Sequence, residues 1–302
     1  MNARATNAAG LACAALLAMS TSADAQGVTA APPNDDVAPE VSFAIVGGVA
    51  SAPFVAMDFP HVDGSAAAFV LAARAHVRGE VAVGARIPLA LVDVGQPAGS
   101  YVGQAAWGNP ELFVEESFAT ELGRPVFVRA RLAIGAPLAE HGSPGLLENR
   151  ALAIADAMLA WRDRELFVPG VVPITPAGEL ALPFGRWSVR AIAKLPVLVR
   201  VSSQASGEGA SNAVGLAPVL GVGAGAAITS RLQLTAGIHA AFDLVRPLVW
   251  VDPASRVQTS MQADLAWHIH GSLRLGATLL VPLGGALGGD TVAAGLSLAH
   301  GP

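Results

Sequence analysis

Along most of this chain, apolar and polar residues alternate with a period of two. The clearest stretches are 187–201, 231–244 and 257–270. In 231–244 the even-numbered positions are all apolar, from Leu232 to Leu244, whereas the odd-numbered ones include an arginine, a glutamine, a histidine and an aspartate. Because successive side chains of a strand point to opposite faces, this pattern predicts strands with one apolar and one polar face.

Turn-forming residues divide the chain into segments of strand length. The twelve predicted strands are 41–49, 66–77, 80–91, 111–119, 125–136, 166–182, 187–201, 213–228, 231–244, 256–269, 272–283 and 291–299. Short turns between them alternate with longer connections rich in Pro, Gly and Asp, such as 50–65, 92–110 and 137–165. An even number of strands puts both termini at the end with short turns, which in outer-membrane barrels faces the periplasm.

Composition indicates that lipid covers the apolar faces. Hydrophobic residues make up 53% of the chain and charged residues 14%, with a mean hydropathy of +0.51, whereas soluble domains carry about 25% charged residues. A bilayer admits only helices or closed barrels, because every backbone polar group must be hydrogen-bonded within the protein. The predicted fold class is therefore all-β, an antiparallel transmembrane β-barrel of about twelve strands.

Two other architectures stay open at this point. A helical membrane protein is one, since 213–229 lacks charged residues, although this stretch contains four glycines and a proline. A soluble β-sandwich or propeller is the other, because such folds also use many short strands.

The N-terminus has the features of a secretory signal peptide. Arg4 precedes an apolar run at 10–19, and Ala23-Asp24-Ala25 has the pattern of a cleavage site. We expect a signal peptide at 1–25, a flexible, proline-rich acidic segment at 26–40, and the outer-membrane barrel at 41–302.

One segment, 146–164, has helical spacing. Leu147, Ala151, Ile154 and Met158 recur along one face of a helix. The helix could lie in the third outer loop or fold into the pore as a constriction. We expect the peripheral placement, because loop insertions of barrels usually remain outside.

The polar faces predict a basic interior. The candidate lumen-lining residues are Arg74, Arg86, Arg129, Arg131, Arg190, Lys194, Arg200, Arg231, His239, Asp243, Asp264, His268, His270 and Arg274. Glu80, Glu115 and Glu179 are predicted to point inward as well, whereas Asp163 and Glu165 are assigned to an outer loop. Nine inward bases against five inward acids predict a passage that favours anions. The alternative is that these groups pair and plug a modest lumen.

Other chemistry has little support in the residues. Asp264, His268 and His270 share one strand face, but a metal site would need a further fixed donor. Ser260 and His268 also share a face, yet about 26 Å separates them along one strand. No catalytic residue, cofactor or metal is predicted, and a net charge of −5 without a basic tract argues against a nucleic-acid partner.

A turn that leads into a strand, Trp107-Gly108-Asn109-Pro110-Glu111-Leu112, resembles those of outer-membrane channel families. Through this turn, the signal peptide and the alternation, the chain resembles the twelve-to-fourteen-stranded transporters of the phenol-degradation-pathway type. This resemblance implies the outer membrane, lipid contact and hydrophobic solutes, whereas the surplus of inward bases implies small anionic ones. We expect a passive pore or small-solute transporter; the alternative is a closed structural or adhesive barrel without transport.

Overall fold

The computed structural model describes residues 39–56, 59–78, 80–95, 100–121, 125–139, 147–201, 212–245, 256–270, 272–285, 287 and 291–301. The signal peptide and all but the last two residues of the 26–40 segment lie outside this part of the chain, so those expectations stay predictions. Fifteen strands of the described part form one antiparallel sheet. They are β1 (Glu40–Ala56), β2 (Phe59–Arg78), β3 (Val81–Gly95), β4 (Tyr101–Trp107), β5 (Glu111–Glu121), β6 (Pro125–Gly135), β7 (Val171–Phe184), β8 (Trp187–Lys194), β9 (Val197–Arg200), β10 (Val214–Leu216), β11 (Val219–Ala227), β12 (Leu232–Phe242), β13 (Val257–His270), β14 (Leu273–Gly285) and β15 (Val292–His300).

The sheet closes on itself as a barrel. The first strand pairs with the last, from Val41 opposite His300 to Val49 opposite Val292. At three positions of the wall, two consecutive strands follow one another along the same line. β4 and β5 both pair with β3, and β8 and β9 both pair with β7. β10 and β11 together occupy the position beside β9 and β8. The wall therefore has twelve strand positions, which confirms the predicted fold class and excludes a sandwich or propeller.

Prolines account for the three interruptions. The breaks are Gly108-Asn109-Pro110, Leu195-Pro196 and Ala217-Pro218. Proline has no N–H to donate to a sheet ladder, so regular pairing stops there. Its carbonyl still accepts, as in the hydrogen bond from Ala217 N to Pro196 O at 3.0 Å, and the wall remains continuous.

The predicted long connection at 50–65 is wrong. β1 and β2 continue their ladder through Ala50 opposite Gly64 and Pro53 opposite His61. The loop-like composition of this segment misled the prediction, because sheet pairing fixes the backbone of residues with low strand propensity. The first strand after the helical segment begins at Val171, not at 166.

The two faces of the wall differ as the alternation predicts. Large apolar side chains are exposed on the outside, including Leu112 and Val222 at 66% and Trp267 at 50%. The segment 213–229, on which the alternative of a helical membrane protein rested, contains strands β10 and β11. Within the described residues, no helix has both the length and the apolar character needed to cross a membrane.

The expectation of a peripheral helix is wrong. Helix α1 (Leu147–Met158) packs against β1, β2, β3 and β4, and Ile154 and Met158 are completely buried. Glycines on the wall make this approach close: a Cβ at Gly64 would lie 2.5 Å from Cδ1 of Ile154. The helix is therefore inside the barrel, where its apolar face packs against the inner wall and is removed from water, as it would not be in an outer loop.

Candidate functional site

The chain between β6 and β7 enters the barrel as what we call the inserted segment, residues 147–170. After α1, Ala160 and Trp161 adopt φ values of 51° and 60°, the only positive φ of non-glycine residues in the described part of the chain. Such conformations cost of the order of 1–3 kcal/mol each and persist only where surrounding contacts hold them. They turn the chain away from the helix and across the lumen.

Asn109 fastens the inserted segment to the wall. Its Nδ2 donates to the carbonyls of Glu165 at 3.0 Å and Val168 at 2.8 Å. Its Oδ1 accepts from the backbone N–H of Ala139 at 2.9 Å, and its own N–H donates to Leu166 O at 2.6 Å. The interruption between β4 and β5 makes this possible, because it frees the backbone of Asn109 from strand pairing and leaves the side chain fully buried.

Five charged residues, four buried and one partly buried, meet where the inserted segment crosses the lumen, and we call them the central cluster. They are Arg86, Glu111, Asp163, Glu165 and Lys194. The Lys194 ammonium lies 2.9 Å from Asp163 and 2.7 Å from Glu165, and Arg86 donates from Nε to Glu111 at 2.9 Å. Because these charges are removed from water, each depends on its partners.

The carboxylates of the inserted segment have strongly altered pKa values. Burial would raise the pKa of Asp163, but Lys194, Arg162 and Arg86 outweigh it and hold that pKa well below the usual range. Burial raises the pKa of Asp156 to about 7, although Arg164 opposes the shift. Asp163 is therefore held as an anion, whereas Asp156 changes its charge near neutral pH.

A second set of charges follows the inner wall towards the short-turn end, and we call it the belt. Opposite charges alternate in it across β14, β1, β2, β5, β6, β7 and β8. Its closest pair is Arg74 with Glu115 at 2.8 Å, and the others lie between 3.2 and 3.8 Å. In order, its members are Arg274, Glu40, Arg74, Glu115, Arg129, Glu179 and Arg190.

The candidate residues from the sequence fall into distinct places. Arg86 and Lys194 belong to the central cluster, and the belt contains the four candidates Arg74, Arg129, Arg190 and Arg274. Arg131 lies over the Phe113 ring at 3.9 Å and 3.6 Å from Glu111.

The candidates of β12 and β13 have separate partners. Asp243 pairs with Arg164 at 3.2 Å. Asp264 accepts hydrogen bonds from Thr278 and Gln262. His239 is buried and contacts the carbonyl of Ala160.

The remaining candidates lie near the ends of the barrel. Arg231 is exposed in the turn before β12, and Glu80, also predicted to point inward, is exposed in the turn before β3. Arg200 is half-buried at the end of β9, and His268 is half-buried opposite Arg274. The side chain of His270 lies outside the described part of the structure. The arrangement does not bring these groups together into one site.

The predicted surplus of bases disappears when the inserted segment is taken into account. Asp163 and Glu165, assigned to an outer loop in the sequence analysis, lie inside, and Asp156 joins them. The wall adds Glu40 and Glu111, which pair with inward arginines. These five acids, set against Arg162 and Arg164 as further inward bases, bring the interior close to charge balance. Alternation within strands could not predict this, because it carries no information about charges that lie in a loop.

Sequence reasoning missed Asn109, Glu111, Asp163 and Glu165 as residues of the interior. For Asn109 a signal was present, because it stands beside Pro110 directly before a predicted strand. An asparagine at such a break has a side chain that can hydrogen-bond backbone groups. For Asp163 and Glu165 the alternation of the wall carries no signal, since the segment that contains them is not a strand.

A cavity of about 140 Å³ remains beside the inserted segment. Among the described residues, six bases line it: Arg86, Arg129, Arg131, Arg162, Arg190 and Lys194. Four acids line it: Glu115, Asp163, Glu179 and Asp264. His239 and Gln262 also face it, and Gly221, Gly223 and Gly237 form part of the opposite wall.

Comparisons with known proteins find similarity in the fold. No protein-family model and no curated protein matches the chain. An outer-membrane channel from Pseudomonas putida F1 is similar with a TM-score of 0.61 and 9% identity, covering 90% of this chain and 100% of that one. The β domain of the Bordetella autotransporter BrkA has a TM-score of 0.52 and 11% identity, covering 88% and 99%. The transport unit of the Escherichia coli autotransporter AIDA-I has a TM-score of 0.50 and 10% identity, covering 97% and 96%.

The chain thus has the fold of bacterial outer-membrane β-barrels. A closed wall with exposed Leu, Val, Ile and Trp side chains on the outside is the form in which strands contact membrane lipid. The fold and this apolar outer face place the chain in the outer membrane.

Proposed function

We propose that this chain is an outer-membrane channel for small solutes, narrowed by its own inserted segment. The cavity of about 140 Å³ beside that segment carries the proposal. It lies within a closed barrel, and ten charged side chains line it beside apolar ones; charged groups facing the interior suit an aqueous passage. The proposed activity is passage of a solute, not catalysis.

Two features support a narrowed passage. Apolar residues of α1 pack against the inner wall near β1 to β4, with Leu152, Ile154 and Met158 buried. Beyond α1, the segment contacts β3, β8, β12 and β13 through Arg86, Lys194, His239 and Gln262. The segment therefore spans the lumen from one side of the wall to the other.

The proposed ion preference is for anions, and it is modest. Six bases and four acids line the cavity, so the local field favours an anion. The near balance of the interior as a whole limits that preference, because most bases have an acidic partner within 4 Å.

Conductance of the purified protein in planar bilayers tests the proposal. We expect small, intermittent currents from the natural protein, and currents several-fold larger and steadier when a Gly-Ser linker replaces residues 147–168. The same linker in place of 246–255 is the control and should leave the currents small. Reversal potentials in a salt gradient should show weak anion preference; silence of every variant would contradict the proposal.

A closed structural barrel is the second candidate, favoured by the apolar packing of α1. In that case the natural protein is silent and conducts only after residues 147–168 are replaced. The recordings described above separate the two functions, because they compare the same barrel with and without the segment.

A further inference from the structure

An apolar side chain is exposed inside the barrel, beside the cavity. Ile192 of β8 lies directly opposite Glu179 of β7 and Gly221 of β11. Directly opposite residues of an antiparallel pair have their side chains on the same face, and Glu179 bonds Arg129 inside the barrel, so Ile192 points inward. It is nevertheless 40% exposed and lines the cavity. Its exposed surface therefore faces the open space of the lumen.

A glycine keeps the space beside Ile192 free. Gly221 lines the cavity and has no side chain. A Cβ at this position would approach no atom closer than 3.4 Å, its nearest neighbour being Cβ of His239. The wall therefore has room for a side chain at Gly221, and its absence enlarges the cavity. Together, the lining residues Ala177, Ile192, Val219 and Gly221 form what we call the apolar side of the cavity.

Arginines that line the same cavity share their acidic partners. Glu179 lies 3.4 Å from both Arg129 and Arg190. Arg129 also approaches Glu115 at 3.5 Å, but Glu115 is closer to Arg74, at 2.8 Å. One carboxylate between two guanidinium groups leaves a local positive charge, and the Arg129 side chain keeps an exposure of 19%.

Arg131 has the same kind of shared partner. Its Nη2 lies 3.6 Å from Glu111, which already accepts a hydrogen bond from Arg86 at 2.9 Å. The Arg131 guanidinium lies over the Phe113 ring at 3.9 Å, and its side chain keeps an exposure of 11%. The ring holds the group in place without neutralising its charge. The arginines therefore favour one negative group in the cavity, where charges are felt strongly because water is scarce.

The volume limits the size of the ligand. About 140 Å³ is close to the volume of a protein cavity that holds one benzene molecule, so about six non-hydrogen atoms fit. Arg190 and Ile192 are neighbours on the inner face of β8, about 6.6 Å apart at the rise of a strand. A ligand of this size therefore reaches from the arginines to the apolar side.

We propose that this cavity binds a small amphiphilic monocarboxylate with a hydrocarbon chain of three or four carbons. Its carboxylate faces Arg129, Arg131 and Arg190, and its hydrocarbon end packs against Ile192 in the space that Gly221 leaves. This inference deepens the proposed function and rests on it, because it names the class of solute that occupies the proposed passage.

Equilibrium binding to the detergent-solubilised protein tests the inference without requiring conduction. Calorimetric titration would compare butanoate with butanamide, a neutral molecule of the same shape, which should bind at least about tenfold more weakly. Acetate should also bind about tenfold more weakly, because it lacks two methylene groups that butanoate buries. Butanedioate should bind more weakly than butanoate, because its second carboxylate would be placed against the apolar side.

Substitutions locate the two ends of the ligand. Gly221→Val fills the space beside Ile192 and should weaken binding of butanoate at least about tenfold. Gly284→Val is the matched control, because Gly284 is exposed on β14 and a Cβ there would meet no described atom within 4 Å; it should bind as the natural protein does. Arg131→Gln should reduce the preference for butanoate over butanamide.

The outcomes are distinct. Equal affinity for butanoate and butanamide overturns the inference, as does binding of acetate or butanedioate that equals that of butanoate. Unchanged affinity in Gly221→Val overturns the assignment to this cavity. If Gly221→Val does not fold, the comparison of the four ligands on the natural protein still decides.

Failure of this inference differs from failure of the proposed function. Binding with the expected preferences in a protein that never conducts would support the site and contradict the channel. Conduction without a preference for butanoate would support the channel and overturn the site.

Discussion

The belt and the central cluster are both networks of opposite charges inside one barrel, but they are built differently. Every member of the belt is a wall residue, and the pair at one end, Arg274 and Glu40, keeps side-chain exposures of 18% and 20%. The central cluster draws Asp163 and Glu165 from the inserted segment, and Glu165 is completely buried. The belt is formed by the wall alone. The central cluster forms only when the inserted segment is seated, that is, when it lies in the lumen with its contacts to the wall made.

This difference predicts unequal energetics. A charge that keeps some contact with water tolerates the loss of its partner, because solvent screens it. A charge that is fully removed from water does not, because the remaining partner is then buried and uncompensated. Substitutions in the cluster should therefore affect the seating of the segment far more than substitutions in the belt.

The largest effect is expected for Lys194→Met. The change removes the ammonium within 3 Å of Asp163 and Glu165 and should lower the free energy of unfolding by about 3–5 kcal/mol. Urea titration of the protein in lipid vesicles measures it. The double variant Lys194→Met with Glu165→Gln is the control and should recover much of the loss. Unchanged stability in the single variant would show that the cluster is not a coupled unit.

A somewhat smaller effect is expected for Asn109→Ala. Three side-chain hydrogen bonds to the segment and to Ala139 are lost, at about 1 kcal/mol each. Open-channel events in planar bilayers should become roughly a hundredfold more frequent, since about 1.4 kcal/mol corresponds to a factor of ten. Asn212→Ala changes an exposed asparagine and should have no such effect. Equal frequencies of open-channel events in both variants would show that Asn109 does not anchor the inserted segment.

The pH dependence of seating should be smaller still. The pKa of Asp156 is about 7 in the seated segment, against 3.8 in water. A raised pKa means that the form with the segment in the lumen binds the proton more tightly than the open form does. Protonation of Asp156 therefore stabilises the seated segment fully below about pH 4, and this stabilisation is lost as the pH rises through 7. Open events should be about tenfold more frequent at pH 8 than at pH 6.

Substitution of the carboxyl group identifies the source of that dependence. Asp156→Asn should remove most of it, because the amide does not titrate. Asp63→Asn, at an exposed position of β2, should retain it. The same pH profile in all three proteins would assign the effect to another group.

The smallest effect is expected for Arg274→Gln at the end of the belt. Its pair with Glu40 at 3.2 Å is partly exposed, so its loss should change the free energy of unfolding by less than about 1 kcal/mol. The same urea titration measures it. A loss as large as that of Lys194→Met would mean that belt and cluster form one network, and the comparison between them would fail.

Particular elements show how far the sequence could be interpreted. Strands β12 to β15 match the predicted segments to within two residues at each end, because their alternation is regular. The predicted strand 213–228 is divided into β10 and β11. The segment 50–65 was assigned to a loop because Pro53 and Asp63 are typical of loops, yet it is paired strand up to Ala56 and again from Phe59. Helix α1 was predicted as a helix, but its place was not, because an apolar face indicates burial without indicating against which surface.

By itself, the sequence predicted an all-β membrane barrel with its large apolar residues outward and most of its strand arginines inward, because a period of two assigns alternate strand residues to opposite faces. Only the tertiary structure decided that the inserted segment fills the lumen, that Asn109 anchors it, and that its acids meet the inward bases. Those contacts join residues such as Arg86 and Glu165, which are far apart in the chain. No local pattern encodes such a meeting, since it depends on where closure of the barrel brings each strand.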